Sequence, residues 1–170
     1  MGLQSKKFKG IFRESKGCKK ISNDLTEINR EIIIDALIDK VFSAVSDQDE
    51  LTNWFPEIAV LEKKEGGRES FKFLKSNRNN LDRDHEMNGK IIKFIPNKEL
   101  SYTWQFENMP EFSNETVVTW RFESVSKNKT KVTLKHSGFS ENDAQKYKEN
   151  SQGWTWFVNR LGNYLTKGGS

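Results

Sequence analysis

An imidazole titrates near neutral pH and serves as acid, base or metal ligand, so the two histidines are where chemistry would first be sought. His136 follows Val132 and Leu134 at every second position, which puts it on the apolar face of a strand. A histidine in that setting is ordinarily a core group satisfied by one hydrogen bond; His136 is the catalytic candidate, and Tyr102 would be its acid–base partner. His85 stands in RDHEMN, among charges at a strand start, where water solvates it. Histidines this far apart, with Cys18 as the one cysteine, give no metal-ligand spacing, so neither a metal nor a cofactor is expected. Nucleophilic catalysis has no foothold: there is no Gly-x-Ser-x-Gly elbow, and Cys18 lies in a basic tail. Gly66-Gly67 is too short to cradle phosphate and precedes no helix.

The aromatic residues offer more. LSYTWQF (100–106) and VVTWRFE (117–123) carry Tyr102, Trp104, Phe106 and Val118, Trp120, Phe122 at every second position, in phase with a strand's single face. Val132, Leu134 and His136 continue that face on a third segment, and Phe71 and Phe73 alternate in ESFKFLK. Each of these side chains taken singly reads as core. Rings at this density are hard to close-pack without gaps, so together they suggest a lined pocket for a small apolar or aromatic molecule. Trp54-Phe55 would either gate the mouth of that pocket or plug the sheet edge.

Such faces need elements to aim them. Ile28 and the run EIIIDA read as a first strand, followed by Ile38, Val41, Phe42 and Val45 at helical spacing. Ser46 with Asp49 suits the cap of a second short helix, DELTNWF. IAVLEKK and ESFKFLK flank Gly66-Gly67 as a hairpin with a two-residue connection, and HEMNGKIIKFI, LSYTWQF, VVTWRFESV and TKVTLKHS extend it into a six-stranded meander. Gly89 inside a strand marks a bulge or strong curvature. Ser140 and Asp143 then cap a long helix whose Trp154, Phe157, Val158, Leu161, Tyr164 and Leu165 share one face. A one-sided sheet must cover its apolar face, and this helix is the element long enough to do so.

With 170 residues, one domain is expected, and with twelve Phe and five Trp its core is aromatic. The formal charge of +4 comes from residues 1–20, which hold seven bases and one acid; the remainder has 21 basic and 23 acidic residues and is slightly acidic. A nucleic-acid partner is therefore not expected. No apolar run is long enough for a membrane span, MGLQSK departs from a myristoylation signal at Lys6, and a lone cysteine suits the reducing cytoplasm. Residues 1–27 read as a basic, flexible tail, 28–166 as the folded domain and 167–170 as a short C-terminal tail.

KVFSAVSDQDELTNWF after the first strand, NGKIIKFIPNKELSYTW, TKVTLKHSGF and GWTWFVNRLGNYL occur in that order and resemble the activator of heat shock protein 90 ATPase homologue family, within the START-like (SRPBCC, helix-grip) superfamily. The resemblance covers about residues 28–166. It implies an α+β helix-grip fold: a curved antiparallel sheet wrapped around a long C-terminal helix, with two short helices after the first strand. It also implies a cavity beneath that helix, which the alternating strand residues and the apolar helix face would line with Trp54, Phe71, Phe73, Tyr102, Trp104, Phe106, Val118, Trp120, Phe122, Leu134, His136, Trp154, Phe157 and Leu161. Single-domain relatives bind lipid-like or polyphenolic molecules, which ranks non-enzymatic ligand binding first. A cyclase- or hydrolase-like enzyme using His136 comes second. A chaperone-related interaction comes third, because co-chaperone members use a separate domain ahead of this one.

The tail supplies few apolar side chains, whereas sheet and helix pair their own apolar faces, so removing residues 1–24 is expected to leave the thermal midpoint nearly unchanged. A large fall in a thermal melt would move the domain boundary into the tail.

Overall fold

The computed structural model describes residues 19–20, 26–75, 81–106 and 115–166. Cys18, most of the basic segment 1–27 and the tail 167–170 lie outside the described residues. Strands are β1 (Lys19–Lys20), β2 (Glu27–Ile34), β3 (Ile58–Leu61), β4 (Arg68–Phe73), β5 (His85–Ile95), β6 (Glu99–Trp104), β7 (Thr116–Ser126) and β8 (Lys129–Ser137). Helices are α1 (Ile38–Ser46), α2 (Gln48–Leu51) and α3 (Ala144–Thr166).

The expected meander from β3 to β8 is present, and β2 closes it by pairing antiparallel with β8, giving the order β1-β2-β8-β7-β6-β5-β4-β3. Within the segment read as a tail, Lys19 and Lys20 pair with Glu31 and Arg30 on the outer edge of β2. Alternation sorts the faces: in β8 Thr130, Val132, Leu134 and His136 are buried, and in β7 Thr116, Val118, Trp120 and Phe122. The register sets Tyr102 beside Val118 and His136, and Leu100 beside Trp120 and Leu134, so three strands present one continuous apolar face. α3 covers it with Trp154, Val158, Leu161 and Leu165, which are buried. The helix-grip architecture is thus the observed one. Among the described residues no helix is long and apolar enough to cross a membrane.

Two local expectations are corrected. The cap of α2 is Asp47, whose carboxylate accepts from the Asp49 and Glu50 N–H groups; Ser46 instead donates its hydroxyl back to the Phe42 carbonyl of α1 at 2.7 Å. β3 and β4 are joined by residues 62–67 rather than by two glycines, because Leu61 pairs with Glu69 and the loop turns on itself. Gly66 adopts a φ of 80°, and its N–H donates to the Ile91 carbonyl at 2.8 Å while Ile91 N–H donates to Gly67 O at 2.8 Å, so the loop docks on β5. Ser140 does begin the terminal helix: its N–H and hydroxyl both donate to the Asp143 carboxylate, at 2.7 and 2.8 Å, across a single 3-10 turn.

The core centres on Phe55, which follows α2 and is fully buried. Its ring lies 5.0 Å from Trp54, 5.2 Å from both Phe71 and Phe73, 5.6 Å from Trp154 and 4.8 Å from Phe157. One side chain therefore joins sheet, helix and the α2 turn. Phe55→Ala is expected to cost about 3–5 kcal/mol, read as a lower denaturation midpoint at unchanged slope in urea; a loss below ~1 kcal/mol would mean that the surrounding rings collapse into the space.

Candidate functional site

Between sheet and helix runs a hydrogen-bonded chain whose direction is fixed by its first donor. Trp154 Nε1–H donates to His136 Nδ1 at 2.9 Å, so the imidazole proton sits on Nε2. Nε2–H donates to Thr116 Oγ1 at 2.6 Å, and the Thr116 hydroxyl donates to the Trp104 carbonyl at 3.1 Å. His136 is fully buried, and burial pushes its pKa down to about 3, so the ring is neutral at physiological pH. Both its nitrogens are engaged, leaving no free lone pair for acid–base work. Tyr102, the other half of the enzymatic reading, accepts from Trp120 Nε1–H at 2.9 Å; burial first, and the nearby Glu69 charge second, hold its pKa well above the usual value.

Two buried polar groups have no partner among the described residues: both carboxylate oxygens of Glu69 and the Nε1–H of Trp104. Glu69 is on the inner face of β4, in phase with Phe71 and Phe73, and is 0% exposed. It pairs across the sheet with Gly89, and the flanking pairs Ile91–Tyr102 and Met87–Phe106 bring Gly89 into one cross-strand row with Trp104. A side chain at position 89 would put its Cβ 2.6 Å from Glu69 Oε2 and 2.7 Å from the Thr103 carbonyl. The glycine thus leaves the space into which the carboxyl leans. Burial raises the Glu69 pKa well above the ordinary carboxyl value, which favours the protonated form. Each unpartnered buried group costs about 1–3 kcal/mol.

The structure gathers most of the expected lining residues. Phe71, Phe73, Tyr102, Trp104, Val118, Trp120, Leu134, His136, Trp154 and Leu161 are buried between the layers, and Phe106 and Phe157 are half-buried at its margin. Phe122 is buried in the same core but beneath α1, with its ring 5.1 Å from Phe42. Trp54 is 1% exposed and donates its indole N–H to the Ala44 carbonyl at 2.9 Å, the geometry of a plug. Sequence reasoning missed Glu69 and Arg30, and it named Phe55 as a gate or plug without its place at the centre of the core. The signal for Glu69 was its phase with Phe71 and Phe73; that for Arg30, its phase with Ile28 and Ile32. Arg30 is 3% exposed and reaches α3, donating to Thr155 Oγ1 at 2.8 Å, Ser151 O at 2.9 Å and Ser151 Oγ at 2.6 Å.

A curved antiparallel sheet closed by one long terminal helix makes this a helix-grip α+β domain. Solved structures share the arrangement: protein MLL2253 of Mesorhizobium loti is 21% identical with a TM-score of 0.71, covering 84% of this chain and 98% of its own. CalU16 of Micromonospora echinospora is 23% identical with a TM-score of 0.63, covering 89% and 83%. The Aha1 dimer of Colwellia psychrerythraea is 26% identical with a TM-score of 0.67, covering 85% and 98%. Residues 35–166 match the family described as Activator of Hsp90 ATPase homolog 1-like protein, and the chain belongs to that family. No curated protein matches it.

His136 makes a pH prediction. Its folded pKa of about 3 lies below the unfolded 6.5, so its stabilisation is present above pH 6.5 and is lost as pH falls from 6.5 toward 3, at up to ~1.4 kcal/mol per unit. In an NMR titration the His136 ring signals should stay fixed from pH 8 to 5; a midpoint near 6.5 would place the ring in water.

Proposed function

We propose that the domain, in the cytoplasm, holds a small apolar or aromatic molecule, lipid-like or polyphenolic, between sheet and α3 and does not transform it. The observation that carries this reading is the pair of unpartnered polar groups, Glu69 carboxyl and Trp104 N–H, set in a row across an aromatic interior. A ligand with an apolar body and a few polar atoms satisfies both groups, whereas an interior serving only as core keeps such groups paired. The engagement of both His136 nitrogens favours binding over a cyclase- or hydrolase-like reaction. A second reading, association with a chaperone, draws on the family description and on the Aha1 relative.

Titrating flavonoids and fatty acids should give saturable changes in tryptophan fluorescence with micromolar affinity, about −8 kcal/mol. Trp104→Phe and Trp120→Phe should each diminish the change. If neither class binds, and the purified domain instead retains the chaperone in a pull-down, the second reading replaces the first.

A further inference from the structure

We propose that the interior site selects organic ammonium ligands, with Glu69 as the counter-ion and the adjoining rings as the wall around the cation. The proposal rests on the ligand-binding reading above and names the polar end of the guest.

Glu69 is fully buried and both its oxygens lack a hydrogen-bond partner among the described residues. The rings of Phe71, Tyr102 and Trp104, on its own strand and in adjoining rows, stand 5.6 to 6.4 Å from one another. Aromatic faces carry negative quadrupole density: they disfavour an isolated carboxylate and attract a cation. An ammonium group gains from both sets of neighbours at once, and its charge lets Glu69 ionise in a dry site without leaving a net buried charge. A neutral hydroxyl gains one hydrogen bond to the carboxyl and none of the charge balance.

Competing cations are engaged elsewhere: Arg30 is bonded to Ser151 and Thr155 on α3, and His136 is neutral within its chain. Among the described residues the titratable group that Glu69 influences is the Tyr102 hydroxyl, which already accepts from Trp120. Gly89, lacking a Cβ, leaves the room that Oε2 itself occupies. Burial favours the neutral carboxyl, so as an ammonium ion enters, any proton that Glu69 holds passes to solvent and an ion pair remains.

Calorimetry with phenethylamine, phenethyltrimethylammonium and the near-isosteric 2-phenylethanol, near pH 7 in two buffers of different ionisation enthalpy, tests this. The expected result is about tenfold or greater preference for both cations over the alcohol, with release of up to one proton per cation bound and none for the alcohol. Glu69→Gln, which mimics the protonated carboxyl in shape, should abolish both the preference and the release. Equal binding of alcohol and cations, or a cation preference that survives Glu69→Gln, overturns the ammonium assignment and leaves the binding reading standing. Absence of binding by all three probes, and by flavonoids and fatty acids, overturns both and assigns the carboxyl to an ordered water. The wild-type proton count needs no variant to fold.

Discussion

The chain of donors from Trp154 through His136 and Thr116 to the Trp104 carbonyl governs how this molecule is assembled. Each group in it has one role, and the imidazole can be donor on one side and acceptor on the other only while neutral. It joins α3 to β8, β7 and β6, so the helix is held at one rotation about its axis. Net hydrogen bonds contribute about 1 kcal/mol apiece, but a break here strands buried donors, and that loss exceeds the contribution of the bond itself. Arg30 fixes the helix at Ser151 and Thr155, and the Tyr164 hydroxyl donates to Glu50 of α2, so the helix is tied toward both of its ends.

Two buried titratable groups pull in opposite directions with pH. His136 is neutral because burial disfavours its cation, and Glu69 is favoured as the neutral acid because burial disfavours its anion. Near neutrality the histidine lies in its stable range while the carboxyl carries an unmet cost. Family membership does not account for that difference, since one fold supports many functions. It arises from the partners each side chain was given: two for the imidazole, and none among the described residues for the carboxyl.

The meander, the terminal helix and the aromatic face were legible because strand alternation and helical spacing persist for many residues: Tyr102, Trp104, Val118, Trp120 and His136 all lie where period two puts them. The β2–β8 pairing was not legible, since it joins residues about a hundred positions apart and nothing local encodes it. Asp47 as cap was hidden by Ser46 beside it, an equally good capping type whose hydroxyl turned back into α1. Glu69 and Arg30 were passed over because charged residues in a strand are read as solvent-facing, although both fall in phase with buried apolar neighbours. Phe55 was seen as a gate or plug; its place at the centre of six rings depends on the fold closing around it.

Gly162 lies so close to β2 that a Cβ there would stand 2.9 Å from Ile32 Cδ1, and among the strands the helix backbone comes nearest to β2. The two layers therefore lie closest along β2 and open toward the strands farther from it. Side-chain size follows that taper. Ile28, Ile32, Val132 and Leu134 fill the thin edge, whereas Phe71, Phe73, Trp104 and Phe55 span the thick one. Aliphatic and aromatic residues are thus partitioned by the gap each must bridge, and the thick edge is where smaller side chains would leave a hollow.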